Sequence, residues 1–268
     1  MMANGKAMAT LIGMVHLQAL PGTPKGGEGA DRIAIQAVRD ACVMRDAGFD
    51  GVIVENMHDA PYVHGVQGPE VVAIMTRCAL AVREATKGMF LGVQVLSGGN
   101  REALAIALAA GAQFVRVENF VFAHVADEGL LERAEAGPLL RYRRSIGAEH
   151  VEVYADVKKK HASHAITADV SLAGAVEAAE FFGADGVVVT GPATGKATDP
   201  EDVAEAREAT ALPVIVGSGV TPQNVASLLK HADALIVGSY IKQDGVWSRP
   251  VDAVRCAEIV RAVRAVHA

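Results

Sequence analysis

The chain has 268 residues, 51% of them hydrophobic, and a formal net charge of −6 at pH 7. That length suits one α/β domain with a large buried core, and the negative balance argues against a nucleic-acid partner. No apolar run reaches the ~18 residues of a membrane span and Met1–Ala9 lacks a secretory pattern, so a cytoplasmic protein without direct membrane insertion is expected.

Eight short β-branched runs are predicted as strands: Thr10–His16, Gly51–Glu55, Met89–Val95, Gln113–Glu118, Val151–Lys158, Asp185–Thr190, Pro213–Gly217 and Ala234–Gly238. Amphipathic stretches between them are predicted as helices: Asp31–Ala47, Pro69–Ala85, Asn100–Ala110, Gly137–Ile146, Ser171–Phe182, Pro200–Ala209, Pro222–Leu229 and Pro250–Ala265. Strands alternating with helices imply right-handed βαβ units and a parallel sheet, and eight of each close as one (β/α)8 TIM barrel spanning residues 1–268. An open doubly wound sheet is the alternative, but no G-x-G-x-x-G follows the first strand. Cys42, Cys78 and Cys256 fall in the helical patterns without ligand spacing. They read as small buried apolar residues of a reducing compartment.

A repeat supports closure. Ala47-Gly-Phe-Asp-Gly-Val-Ile-Val-Glu-Asn56, Ala110-Gly-Ala-Gln-Phe-Val-Arg-Val-Glu-Asn119 and Phe182-Gly-Ala-Asp-Gly-Val-Val-Val-Thr-Gly191 align without gaps, with a shortened copy at His231–Ser239. The glycine after each helix (Gly48, Gly111, Gly183) suits a left-handed cap. The longest loops, Leu17–Ala30 and Asn119–Ala136, both follow strand ends, where a lid belongs.

The last two strands end in glycine. Pro213-Val-Ile-Val-Gly-Ser-Gly-Val-Thr-Pro-Gln-Asn224 offers Gly217, Ser218 and Gly219, with Thr221 as helix cap, and Ala234–Ser239 repeats the pattern with Gly238 and Ser239. Two such strand ends side by side form a phosphate cradle of backbone N–H groups, at the place where barrels of this kind hold phosphate. Thr190 and Gly191 after strand six extend it. Lys242 either adds charge there or is exposed.

Strand alternation directs Glu152, Tyr154, Asp156 and Lys158 toward the barrel axis. The same parity points His16, Glu55, Gln94 and Glu118 inward, with Arg116 one layer below Glu118. One half of the mouth is then acidic and protic, and the other is bare backbone. A buried guanidinium needs a carboxylate, and Glu152 on the neighbouring strand is the expected partner of Arg116. Glu55 and Glu118 read as either catalytic or structural. Lys158 is the lysine expected at the site, whereas Lys159 and Lys160 read as a solvated loop. His161 with His164, and His58 with Asp59, read either as ligands or as loop residues. Asn56 and Asn119 share a turn-capping purpose.

With these residues in view, the chain resembles the BtpA/SgcQ family over nearly its whole length. The resemblance rests on Ile12-Gly-Met-Val-His-Leu-Gln-Ala-Leu-Pro-Gly22, Asp50-Gly-Val-Ile-Val-Glu-Asn-Met-His-Asp-Ala-Pro-Tyr62, Phe114–Asn119, Tyr154-Ala-Asp-Val-Lys-Lys-Lys-His161, Thr190–Gly195 and Val216–Gly219. It implies a (β/α)8 barrel related to phosphate-binding barrels that act on ribose-type sugar phosphates. One branch is named for biogenesis of a photosynthetic membrane complex, and another for a sugar-metabolism gene cluster. The leading expectation is an enzyme for a small phosphorylated sugar or nucleotide-like molecule, working by isomerisation, epimerisation or lyase chemistry. Glu55, Glu118, Asp156, Lys158 and His16 would carry the proton transfers. Gln94, Thr190, Gly191, Gly217, Ser218, Gly219, Gly238 and Ser239 would bind substrate. A metal-assisted hydrolase using a divalent cation and a non-catalytic assembly factor are the alternatives. The Ala-rich last helix offers a homo-oligomer interface.

Overall fold

In the computed structural model, residues 10–266 are described. Parallel strands Thr10–His16, Gly51–Glu55, Phe90–Gln94, Phe114–Val117, Glu152–Val157, Gly186–Val189, Val214–Val216 and Ala234–Val237 close into one barrel, the last pairing with the first. They are called first to eighth below. Helices Ala30–Ala47, Pro69–Ala85, Asn100–Ala110, Ala136–Ser145, Leu172–Phe181, Pro200–Ala209, Val225–Leu228 and Ala253–Val266 connect or follow them. The chain is a TIM barrel. The Met1–Ala9 leader lies outside the described residues. No described helix is long and apolar enough to cross a membrane.

Alternation decides which core each strand residue enters. On the outward parity of the fifth strand, Val153, Ala155 and Val157 pack against the helices. Tyr154 points inward, with Ile12, Met14, Ile53, Phe114, Val188, Ile215, Ala234 and Ile236. This inner layer is filled by opposing large residues to glycines. Gly92 pairs with Phe114 and Tyr154 with Gly186. A Cβ on Gly92 would lie 2.3 Å from the Phe114 ring, and one on Gly186 would lie 2.8 Å from Tyr154. The two rings sit 5.2 Å apart, a contact worth about 0.5–1.5 kcal/mol beyond their burial. They plug the barrel below the polar mouth.

Gly48, Gly111 and Gly183 have φ of 99°, 65° and 87°, so each repeat does end its helix in the left-handed region. Two helix starts differ from expectation by more than one residue. The seventh helix begins at Val225, because Asn224 accepts from the Thr221 N–H and donates to the Gly219 carbonyl, closing a turn where Thr221 was expected to cap. The eighth begins at Ala253, where the Asp252 carboxylate accepts from the Val254 and Arg255 N–H groups. Three short antiparallel strands, His124–Ala126, Gly129–Leu131 and Ala162–Ser163, join the long loop after the fourth strand to the loop after the fifth. Strands of two or three residues carry too little alternation to be read from sequence.

Candidate functional site

The polar layer sits directly above the Phe114–Tyr154 plug. Register places His16 beside Glu55, and Glu55 beside Gln94, and all three are buried. Two connected hollows open over them. The larger, ≈ 250 Å³, is walled by Glu55, Gln94, Arg116, Glu118, Lys160 and Trp247 among others. The smaller reaches from His16, Glu55, Arg116 and Lys160 to Gly217, Ser218, Gly219, Gly238 and Ser239. Glu55, Met57, Arg116, Lys160 and Thr194 line both. The acidic half and the glycine half of the mouth thus share one recess.

Arg116 organises its floor. Its Nε donates to Asp156 Oδ1 at 2.8 Å and its Nη2 to Oδ2 at 3.0 Å, with both side chains buried. The expected Arg116–Glu152 pair is not formed. Phe114 is the register partner of Glu152, so Glu152 lies at the opposite end of the strand from the mouth, where its carboxylate receives the Tyr154 hydroxyl. Asp156, expected to face substrate, spends both oxygens on Arg116 and lines a separate small hollow with Asn119 and His124. Gly217 makes room for the guanidinium, since a Cβ there would lie 3.0 Å from Arg116 Nη2 and 2.6 Å from Val188.

Glu55 and Glu118 occupy matching repeat positions in contrasting surroundings. Burial pushes Glu55 up to about 7, with the charges of Arg116 and Lys160 opposing that rise. Its Oε2 lies 3.4 Å from His16 Nε2. Burial and then the Lys242 charge hold His16 well below the usual histidine range. The His16 Nδ1 lies 3.1 Å from the Trp247 carbonyl, which assigns the proton to Nδ1 and leaves Nε2 to accept from a protonated Glu55. Burial would raise Glu118 too. The Lys159 charge and hydrogen bond, with Arg116 and the Gly98 N–H, overcome it and hold Glu118 below the ordinary carboxylate range. Lys159 Nζ is 3.1 Å from Glu118 Oε1, while Gly98 N and Ser97 Oγ reach Oε2 at 3.1 and 3.3 Å.

The lysine run is corrected by its backbone. The fifth strand stops at Val157, and Lys158 takes φ 44° and His161 φ 56°. Strand alternation therefore fails one residue early. Lys158 turns into an outer groove with Pro192 and Asp199, Lys159 holds Glu118, and Lys160 faces the recess. Thr190 Oγ1 accepts from the Lys160 N–H at 3.0 Å. Thr190 and Gly191 also line the outer groove rather than the recess; Thr194 and Gly195 take the expected place.

In the glycine half, the N–H groups divide. Gly217 N–H donates to the Val189 carbonyl and Gly191 N–H to Ser218 Oγ at 2.7 Å, so both are occupied. Ser218 Oγ also donates to the Lys196 carbonyl, making this side chain a loop clamp. The Ser218 and Gly219 N–H groups have no acceptor among the described residues. Gly219 has φ 64°, and a Cβ there would meet the Lys196 carbonyl at 2.1 Å, so only glycine fits. Gly238 is different, because its nearest neighbours would lie at 3.4 Å or more from a Cβ.

Lys242 is neither at the cradle nor exposed. It is buried behind the first strand, donating to the Met14 carbonyl at 3.1 Å, with Asp40 at 3.8 Å. His58 Nδ1–H donates to the Leu17 carbonyl, and Asp59 accepts from the Leu20 N–H and the Asn56 amide. His161 Nε2 meets Thr194, and His164 Nε2 meets the Lys159 carbonyl. These four act as loop ties. Among the described residues no group of three or more His, Cys, Asp or Glu side chains is placed to hold a metal ion. Sequence reasoning passed over Trp247, whose ring lies 5.0 Å from that of His58 and caps the larger hollow. As the sole tryptophan, on the loop after the eighth strand, it could have been singled out.

The fold is that of a (β/α)8 barrel, and the recess opens at the C-terminal ends of its strands. Solved structures with the same architecture include orotidine 5'-monophosphate decarboxylase from Methanocaldococcus jannaschii, complexed with the inhibitor BMP (TM-score 0.61, 15% identity, covering 96% of this chain and 99% of that one). Thiamine phosphate pyrophosphorylase from Pyrococcus furiosus is similar (TM-score 0.60, 15% identity, 98% of each chain). At that identity the likeness is one of fold. The chain belongs to the BtpA family, whose sequence pattern matches residues 7–265. Its relatives include an uncharacterised mitochondrial protein of Caenorhabditis elegans, 42% identical over 94% of this chain and 92% of that one. The photosystem I biogenesis protein BtpA of Synechocystis sp. is 34% identical over 94% and 87%.

Proposed function

We propose that this protein is an enzyme that binds a small phosphorylated sugar or nucleotide-like molecule and moves a proton on it, as an isomerase, epimerase or lyase does. The observation carrying this reading is the shared recess: Gly217–Gly219, Gly238 and Ser239 on one wall, with Glu55, His16, Arg116 and Lys160 on the other. The free Ser218 and Gly219 N–H groups and the Arg116 guanidinium would receive the phosphate. Glu55, carrying a proton near neutrality, would act as general acid, and ionised Glu118 would accept charge or hydroxyl protons across the cavity. Two carboxyl groups whose surroundings drive their proton affinities apart are the usual basis for such a division of roles. Gln94, whose buried Oε1 has no partner among the described residues, would take a substrate hydroxyl. Neighbours in fold named for phosphorylated compounds, the orotidine 5'-monophosphate decarboxylase and the thiamine phosphate pyrophosphorylase above, support the ligand class.

Thermal-shift measurements test this without knowledge of the reaction, because a ligand that binds only the folded state raises its stability by mass action. Ribose 5-phosphate should raise Tm and ribose should not. Equal, null responses to a panel of sugar phosphates would remove the reading.

A second reading, assembly of a membrane complex, is favoured by the name of the Synechocystis relative and by Phe181 and Phe182, which are 85% and 52% exposed at the C-terminal end of the fifth helix. It predicts that a folded Glu55→Gln, Glu118→Gln double variant still complements a deletion strain. The enzymatic reading predicts loss of complementation. The cytoplasmic location belongs with the enzymatic reading and is checked by cell fractionation.

A further inference from the structure

Lys160 has a place that the acid–base reading leaves unused. It is the one side chain among the described residues that lines the glycine recess, the larger hollow and the outer groove alike. No acceptor meets its Nζ among the described residues, unlike Lys159 on Glu118 and Lys242 on Met14. Its main chain is fixed by Thr190 Oγ1 and lies between residues 158 and 161, both at positive φ. Left-handed backbone at non-glycine residues costs energy that surrounding structure must hold, and it gathers at functional positions. Here it aims one amine at the cavity. The charged groups facing that amine are Arg116, Glu55, Asp156 and Glu118.

We infer that Lys160 is a nucleophilic amine that condenses with the carbonyl carbon of a phosphorylated aldehyde or ketone, with Glu55 as proton donor. This rests on the phosphate-binding reading and narrows its substrate class to carbonyl compounds. The neutral Nζ adds to the carbonyl carbon, and the oxygen takes the Glu55 proton. The nitrogen returns a proton to the Glu55 carboxylate. That carboxyl then protonates the new hydroxyl, which leaves as water while the nitrogen lone pair closes C=N. The products are a protonated imine, an ionised Glu55 and one water, so atoms and charge balance. Burial and the Arg116 charge lower the affinity of Lys160 for its proton, which supplies neutral amine for the first step.

Pyridoxal 5'-phosphate is a suitable probe, since it joins an aldehyde to a phosphate. The intact protein is exposed to it, reduced with borohydride, digested and mapped by mass spectrometry. Labelling at Lys160 should exceed that at exposed Lys25 and Lys87 by at least about tenfold, and inorganic phosphate should protect it. Lys160→Arg should lose the dominant adduct while phosphate still raises its Tm. Phosphate stabilisation with adducts spread over Lys25, Lys87 and other exposed lysines would overturn the inference and leave the phosphate site standing. Absence of both stabilisation and protection by phosphate would remove the site and the inference together.

Discussion

The ends of the second and fourth strands carry the same Glu-Asn pair, yet the molecule treats them oppositely. Glu55 is buried with His16 Nε2 3.4 Å from its carboxyl, and burial pushes it up to about 7 against the charges of Arg116 and Lys160. Glu118 is equally buried but is met by Lys159, Ser97 and the Gly98 N–H, so it stays ionised. The asparagines diverge too. Asn56 accepts from the Leu96 N–H and donates to the Leu96 carbonyl and to Asp59. Asn119 donates to the Arg133 carbonyl, and its Oδ1 is buried without a partner among the described residues. A repeated motif fixes the position of a group in the barrel. Its charge is set by whatever loop the barrel places over it.

The largest effect expected on this contrast comes from Arg116, whose charge both glutamates feel. Arg116→Met leaves Asp156 buried without its cation and should cost about 3–5 kcal/mol. A paired Arg116→Met, Asp156→Leu variant should recover much of that loss in urea titrations. Lys159→Met strands Glu118 in the same way, by about 3 kcal/mol at neutral pH. That cost should shrink below the normal carboxylate range, where Glu118 takes up a proton.

Glu55 supplies the opposite pH signature. Its folded value, about 7, lies above the ordinary 4.5, so the folded state binds more protons than the unfolded state between them. Stability therefore falls as pH rises from 4.5 through 7, by roughly 3 kcal/mol at most, and levels off above. Glu55→Gln should flatten that slope and be the more stable protein at pH 8. For Glu118, held low, the contribution is present above its unfolded value and disappears as pH falls through its folded value. Chemical denaturation of Glu55→Gln and Glu118→Gln beside the native protein, carried from pH 9 down to about pH 3, reads the two signs directly. Opposite slopes are expected, and parallel ones would erase the contrast. The smallest effects belong to the asparagines: Asn56→Ala should cost about 2–3 kcal/mol and Asn119→Ala about 1.

Much of this was legible in the sequence. The eight strands, the left-handed glycine caps and the inward parity of His16, Glu55 and Gln94 follow from local patterns that the barrel merely closes. Lys158 was misplaced because alternation holds only while φ stays extended, and nothing in Lys-Lys-Lys marks where it stops. Arg116 was given the wrong carboxylate because parity gives the face of a residue but not its height across a register. The glycines carried a mixed signal. Gly219 is demanded by the Lys196 carbonyl and Gly217 by the Arg116 guanidinium, reasons of packing that accompany the cradle. The short strands over the mouth and the Trp247 cap depend on contacts between distant loops, which one sequence does not display.

Gly238 allows the most direct test, because a side chain there enters the recess without the collisions that Gly217 and Gly219 would suffer. Isothermal titration of ribose 5-phosphate should show binding to the native protein and to Gly238→Ala, and at least about tenfold weaker binding to Gly238→Asp, where a carboxylate repels the phosphate. Ribose should bind none of them measurably. Equal affinity of a well-folded Gly238→Asp for ribose 5-phosphate would contradict a phosphate seat between the glycine wall and Glu55.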